Sequence, residues 1–445
     1  MLLARLSFVV LGAASVAIAH VVGEKRASES LLHTPGHWIA AWTAMPQLTE
    51  SANLPNPPFN TTGRVFNNTT IRQTIRVTAT SPHIRLRISN AFGTTNLPIT
   101  QATIARPLGG ATGTSAIDTR TVKQLTFSGS PSFTIPNGAI VVSDPIDFEV
   151  TAGTDLSISL FLASGQVSND ITSHPGSRTT IWMTFGNQVS AANLTGPDLQ
   201  NVAHWYFIST LDAWVPKTER TVAFVGDSIT DGRGSDTDKN NRWPDLLWNR
   251  IHASWDPSLN TLAFANQAAG GNRILADGLG PNALGRFDRD VLSQPGISYV
   301  VVFEGVNDIG TAAATTAAQQ AIGDQVIAAY KQFIVRAHAA QLPIFAATIT
   351  PFSAPGFNTA IQAYSSPIRE ATRQRVNTFI RTSGLFDGVI DFDAVVRNST
   401  VPSQLRDDFN SGDFLHPNVA GYTAMANAFP VNLFKQFQNG VDGWA

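Results

Sequence analysis

The hydrophobic pattern of this chain changes period once, near residue 216, and that change divides it into two kinds of fold. From about His37 to Trp214 apolar residues recur at every second position. Ile84, Leu86 and Ile88 alternate with Arg85, Arg87 and Ser89, and Leu156, Ile158 and Leu160 alternate with Ser157 and Ser159. A period of two places successive side chains on opposite faces of a strand. Further short runs at 121–127, 132–135 and 140–142 stand between clusters of Gly, Pro, Asn and Ser. Short strands punctuated in this way predict an all-β, jelly-roll-like antiparallel sandwich over residues 37–215. No helical stretch of useful length interrupts it.

From about Arg220 short apolar runs alternate with helical spacing. Strands are predicted at 221–225, 262–264, 299–304, 344–350 and 389–392, and helices at 243–254, 316–340 and 367–381. In the longest helix Ile322, Val326, Tyr330, Phe333, Ile334 and Ala337 form one apolar stripe. Strands alternating with helices require right-handed crossovers and a mostly parallel sheet. Residues 216–445 are therefore read as an α/β domain, and its sites are expected beyond the carboxyl ends of its strands.

Composition narrows the chemistry. A chain of 445 residues exceeds one ordinary core. Thirty Lys and Arg against 32 Asp and Glu leave a net charge of −2, so no global field draws it to nucleic acid or anionic lipid. Charged residues at 14% and hydrophobic ones at 43% exclude a disordered chain. There is no cysteine, which excludes disulfide scaffolds, thiolate zinc sites, iron–sulfur clusters and cysteine nucleophiles. The histidines have no metalloprotease spacing, and no dinucleotide or phosphate-loop string occurs. No metal and no cofactor are expected.

Residues 1–19 read as a secretory signal peptide: Arg5, an apolar run from Leu6, and the small-residue end Ala17-Ile18-Ala19. The run is too short for a membrane span. Residues 20–36 are read as a leader, in which Lys25-Arg26 resembles a dibasic processing site that would start the mature chain near Ala27. Asparagine sequons at Asn60, Asn67, Asn68, Asn193 and Asn398 fit the same eukaryotic secretory route, and a fungal source is the expectation. The expected location is extracellular, with no stable membrane insertion.

Polar residues and glycines gather where the predicted strands end. Gly226-Asp227-Ser228-Ile229 follows the first, Gly270-Gly271-Asn272 the second, Gly305-Val306-Asn307-Asp308 the third, and Asp413-Phe414-Leu415-His416-Pro417 lies near the C-terminus. A serine on a strand-to-helix turn is a weak nucleophile without a base in hydrogen-bond reach. His416 is the candidate base, and Asp413 three residues earlier the candidate for orienting it. Donors for a tetrahedral oxyanion are available in the backbone N–H groups of Ser228 and Gly271, with Gly270 the competing register, and in the side-chain amide of Asn307.

These blocks resemble the SGNH, or GDSL, hydrolases. The four letters fall on Ser228, Gly271, Asn307 and His416, in the family's order, with Ile229 where the name has Leu. The resemblance spans roughly residues 220–437 and implies a flavodoxin-like, three-layer α/β/α domain with metal-free esterase or lipase activity. The strings Asn272-Arg273-Ile274-Leu275 and Arg286-Phe287-Asp288-Arg289-Asp290, with Trp38-Ile39-Ala40-Ala41-Trp42 in the β half, are similar to a branch of arylesterases and acylhydrolases associated with xylan breakdown. The expectation is a secreted serine esterase acting through an acyl-enzyme on short acyl esters, such as acetyl groups on polysaccharide. Two alternatives are a lipase or phospholipase, and a glycan-binding protein whose hydrolase domain is silent.

Overall fold

The structure, a computed structural model, describes residues 35–61, 63–254 and 256–443. The expected signal peptide, and all but the last two residues of the expected leader, lie outside them. Among the described residues no helix is long and apolar enough to cross a membrane.

The first half is built from antiparallel strands. One sheet runs in the order His37–Thr43, Ile208–Val215, Ser81–Ser89, Ile140–Val142, with Ile146–Val150 also paired to Ser81–Ser89. A second runs Gln200–Val202, Ile181–Phe185, Thr69–Arg76, Asp155–Leu162, Gln101–Ala105, Lys123–Leu125. Ile39, Leu86 and Ile88 from the first sheet share one core with Ile71, Ile158 and Leu160 from the second. The alternation in Asp155–Leu162 signals a strand, but its polar face is buried as well. There the Arg72 guanidinium donates to Ser159 Oγ at 2.9 Å and to the Ser115 carbonyl at 2.6 Å.

The second half holds a parallel sheet in the order Leu262–Ala268, Arg220–Gly226, Ile297–Phe303, Ile344–Ala347, Gly388–Ile390. The second strand in sequence thus lies outside the first, and the order reverses beside Arg220–Gly226. Doubly wound sheets place their ligands beyond the strand ends at such a reversal. The strand expected at 262–264 continues to Ala268, because its ladder with Arg220–Gly226 holds register from Arg220↔Leu262 to Gly226↔Ala268. Polar Asn266 and Gln267 hide that continuation from a reading based on apolar runs. Conversely, the strand expected to reach Thr350 stops at Ala347, where pairing with Ile390 ends.

The helices carry local start signals. Thr315 caps Thr316–Ala339, and Ser366, followed by Pro367 in the first turn, caps Pro367–Thr382. These two helices pack together, while Val419–Ala428 packs on Trp243–Ala253.

The two halves are in direct contact along an edge. Leu262–Ala268 is the outer strand of the parallel sheet. Its outward backbone groups meet threonine hydroxyls: Thr78 Oγ1 accepts from Phe264 N–H at 3.0 Å, and Thr43 Oγ1 donates to the Asn266 carbonyl at 2.9 Å. Ala40 N–H also donates to the Pro295 carbonyl at 2.9 Å, and Thr221 Oγ1 to the Ala40 carbonyl at 3.0 Å. Trp42 and Trp205, edge-on at 4.9 Å, line a small hollow at this junction, whereas Trp214 stacks edge-on against Trp38 at 5.3 Å.

Candidate active site

Ser228 is the first residue of a single helical turn, Ser228–Asp231, directly after the strand Arg220–Gly226. Asp227 caps that turn by accepting from Ile229 N–H at 2.9 Å. Such a cap is worth about 1 kcal/mol to a helix end. Gly226 is needed because a Cβ there would lie 2.6 Å from Thr230 Cβ and 3.0 Å from the Phe303 carbonyl oxygen.

His416 and Asp413 reach the same point from the other end of the chain. Asp413 Oδ1 accepts from the backbone N–H of Leu415 at 3.0 Å and of His416 at 2.9 Å. Asp413 Oδ2 is 2.6 Å from His416 Nδ1, and His416 Nε2 is 2.7 Å from Ser228 Oγ. A carboxylate only accepts, so Nδ1 carries the hydrogen and Nε2 is left to accept from the serine hydroxyl. Burial works to raise the Asp413 carboxyl, but the hydrogen bonds and charge of His416 outweigh it and hold Asp413 well below its ordinary value. For His416 burial dominates; it disfavours the cation and, aided by the charges of Arg233 and Arg178, lowers the imidazole against the pull of Asp413. A neutral imidazole between a hydroxyl and an ionised carboxylate has the parts required for acyl transfer.

The remaining predicted residues converge on the same spot. Gly270 N–H is engaged, donating to Asp231 Oδ2 at 3.1 Å. The N–H groups of Gly271 and Ser228 have no partner among the described residues. Gly271 takes a left-handed backbone (φ 72°), and a Cβ there would meet Leu279 Cδ1 at 2.3 Å. Asn307 Nδ2 donates to the Asn272 carbonyl at 2.8 Å, which leaves its second amide hydrogen free. Its Oδ1 accepts from Tyr364 Oη–H at 3.1 Å, and the Asn272 carbonyl, which only accepts, fixes which side of the amide carries the NH2. Asp308 pins the neighbouring loop by accepting from Ile274 N–H at 2.8 Å and Leu275 N–H at 3.0 Å; burial lifts its carboxyl to about 6.

Beneath these loops lies Arg286, buried, donating to Asn272 Oδ1 at 3.0 Å and to the Gln267 carbonyl at 2.5 Å. It pairs with Asp290 at 3.3 Å and with Glu304 at 3.6 Å. Burial raises the Glu304 carboxyl well above its ordinary value, and neither of its oxygens has a hydrogen bond.

Ser228, Gly271, Asn307 and His416 line a cleft of about 370 Å³. Its rim is shared: Gln47, Glu50, Pro175, Gly176 and Arg178 come from the β half, and Arg233, Leu279 and Tyr364 from the α/β half. Sequence reasoning missed Tyr364, Arg178 and Arg233, which stand in none of the four blocks. A larger hollow of about 590 Å³ lies on the β half among Arg76, Arg106 and Arg120 and contains none of the four residues. Among the described residues no group of three or more acidic or histidine side chains could hold a metal ion.

Residues 222–429 match the family model described as GDSL-like Lipase/Acylhydrolase. A search of curated proteins returns no match. Solved structures similar to this chain include a GDSL-like lipase from Bacteroides thetaiotaomicron, with 18% identity, 50% of this chain and 91% of that chain covered, and a TM-score of 0.34. An acetylxylan esterase from Geobacillus stearothermophilus matches with 19% identity, 48% and 94% coverage and a TM-score of 0.35. A carbohydrate acetylesterase family member from Sinorhizobium meliloti matches with 16% identity, 48% and 98% coverage and a TM-score of 0.34. The segment 222–429 is thus similar to the GDSL-like lipases and acylhydrolases, and the protein is a carboxylic ester hydrolase.

Proposed function

We propose that the protein is a secreted serine esterase that removes short acyl groups, such as acetyl, from carbohydrate. The observation that carries the reading is the continuous path Ser228 Oγ, His416 Nε2, His416 Nδ1, Asp413 Oδ2, with links of 2.7 and 2.6 Å, at the floor of the cleft. Ser228 Oγ attacks the ester carbonyl while His416 Nε2 takes its proton. Asp413 holds the ring and balances the imidazolium that forms. The oxyanion is met by the N–H groups of Ser228 and Gly271 and by the free amide hydrogen of Asn307. His416 returns the proton to the leaving alcohol, and water then clears the acyl-enzyme by the same steps in reverse order.

The rim supports a short acyl group and a polar alcohol over a long lipid chain. Gln47, Glu50, Arg178 and Arg233 offer hydrogen bonds to hydroxyls, while Leu279 and Leu415 are the main apolar walls. The complete hydrogen-bond path speaks against a silent hydrolase domain. We read the α/β half as flavodoxin-like and three-layered, and the sequons and the segment 1–36 as marks of secretion and glycosylation. A panel of p-nitrophenyl esters from acetyl to palmitoyl, run beside acetylated xylan, tests the proposal. Peak kcat/KM on acetyl, with acetate released from xylan, is expected; preference for palmitoyl would replace it with the lipase reading.

A further inference from the structure

His174 ends the short strand Thr172–His174 of the β half, yet its ring is buried against the α/β half. Its Nδ1 lies 3.0 Å from the Met45 carbonyl oxygen and its Nε2 lies 2.9 Å from Asp231 Oδ1. A carbonyl only accepts, so Nδ1 carries a hydrogen. Asp231 stands three residues after Ser228, in the same helical turn. Its other oxygen, Oδ2, accepts from Gly270 N–H at 3.1 Å. With Asp231 ionised, Nε2 also donates, and the two buried side chains form an ion pair across the junction of the halves. The Trp205 ring lies near-parallel to His174 at 5.8 Å. Two residues beyond His174, a Cβ on Gly176 would lie 1.7 Å from Asp231 Oδ2. The β half thus both bonds this carboxylate and walls it in.

The line of contacts runs His174, Asp231, Gly270, and so to Gly271, whose unpartnered N–H belongs to the next peptide unit. Resting on the esterase reading above, we propose that His174 is a positioning residue that acts through Asp231 to aim the Gly271 oxyanion donor, so that the β half completes the active site. It touches no reacting atom. A donor that meets charge only in the transition state changes kcat when it is misaimed and leaves ground-state binding nearly intact.

The test uses the full chain, p-nitrophenyl acetate, and circular dichroism to establish folding. His174→Ala and Asp231→Ala are expected to lower kcat about 10- to 100-fold, the range for a small misplacement, with KM little changed. Their combination should be no worse than Asp231→Ala alone, because His174 acts only through Asp231. Asp231→Asn should recover most of the rate: its amide oxygen can accept from Gly270 and its NH2 can donate to a neutral ring. Gly176→Ala removes no hydrogen-bonding group but drives Asp231 Oδ2 away from Gly270 N–H, and should lower kcat with KM little changed. A folded His174→Ala with kcat within twofold of the parent overturns the proposal, and so does a variant that loses only melting temperature. If His174→Ala does not fold, an unchanged kcat in Gly176→Ala overturns it. A parent protein inactive on every ester would instead overturn the esterase reading.

Discussion

Ser228 Oγ and His416 Nε2 lie 2.7 Å apart although 188 positions separate them in the chain. Ser228→Ala and His416→Ala should each lower kcat on the order of 10³-fold or more, because the nucleophile and its base act as one unit. Asp413→Asn should cost somewhat less, since it misorients the base without removing it. Steady-state kinetics on p-nitrophenyl acetate checks all three. A folded Ser228→Ala protein with near-parental turnover would end this mechanism.

Asn307 is fixed on both sides of its amide, by the Asn272 carbonyl and by Tyr364. Removing one oxyanion donor costs about 2.7–4 kcal/mol, or 10²–10³ in kcat, and Asn307→Ala should fall in that range. Tyr364→Phe keeps the donor and its bond to the Asn272 carbonyl but leaves Oδ1 without its partner, so its loss in kcat should be smaller. Equal losses in the two variants would make Tyr364 a substrate-contacting group.

The pH dependence follows from the base. His416 works only when neutral, and burial lowers its pKa below the ordinary histidine value. Activity should therefore persist at pH values where an ordinary histidine is already half protonated, and fall as pH drops through the lowered pKa. The same shift makes the folded state bind the proton less readily than the unfolded chain. His416 therefore disfavours folding progressively as pH falls below the unfolded value, and the penalty is complete below the lowered folded value. A kcat/KM profile with its acid limb above the ordinary histidine value would contradict this assignment.

What the sequence revealed of this site was local. Ser228 and Asn307 sit in short strings at strand ends and His416 in one near the C-terminus, where a turn residue, a helix start and a candidate nucleophile leave a recognisable order. The ambiguity between Gly270 and Gly271 is not local, because it turns on which N–H Asp231 already occupies. Arg178 and Tyr364 reach the cleft, and His174 reaches Asp231 behind it, through tertiary packing, and no periodicity or spacing marks them. The full length of Leu262–Ala268 was hidden for a related reason: backbone pairing, indifferent to side chains, carries the strand across Asn266 and Gln267.

Arg286 offers a test of how the loops are held. Its guanidinium is the charge that faces buried Glu304, at 3.6 Å. Burial already favours the neutral Glu304 carboxyl, so removing Arg286 lets it take up a proton, and the main loss is the hydrogen bonds to Asn272 Oδ1 and the Gln267 carbonyl. An unsatisfied buried acceptor costs about 1–3 kcal/mol, so Arg286→Met should show a loss of that order in urea unfolding. Adding Glu304→Gln should change it little; a large recovery would mean that Glu304 stays ionised beside Arg286.

The junction predicts the behaviour of the α/β half alone. A fragment starting near Lys217 loses Thr43 and Thr78, and with them the partners of the outer strand Leu262–Ala268. Unpaired sheet edges template association between chains. The fragment should be insoluble, or lose turnover even on a small ester. A soluble fragment with unchanged kinetics would make the β half a dispensable module.

The threonine cover on that strand also has a direction in time. Synthesis proceeds from the N-terminus at about 5–20 residues each second, and domains tend to fold in that order. Thr43 and Thr78 leave the ribosome well before residues 262–268. A growing chain can therefore present the finished cover to the edge as the edge emerges. A chain diluted from denaturant has no such order: both halves begin together, and bare edges on neighbouring molecules compete for one another. The same sequence should then give a higher yield of native protein from translation than from refolding at equal concentration.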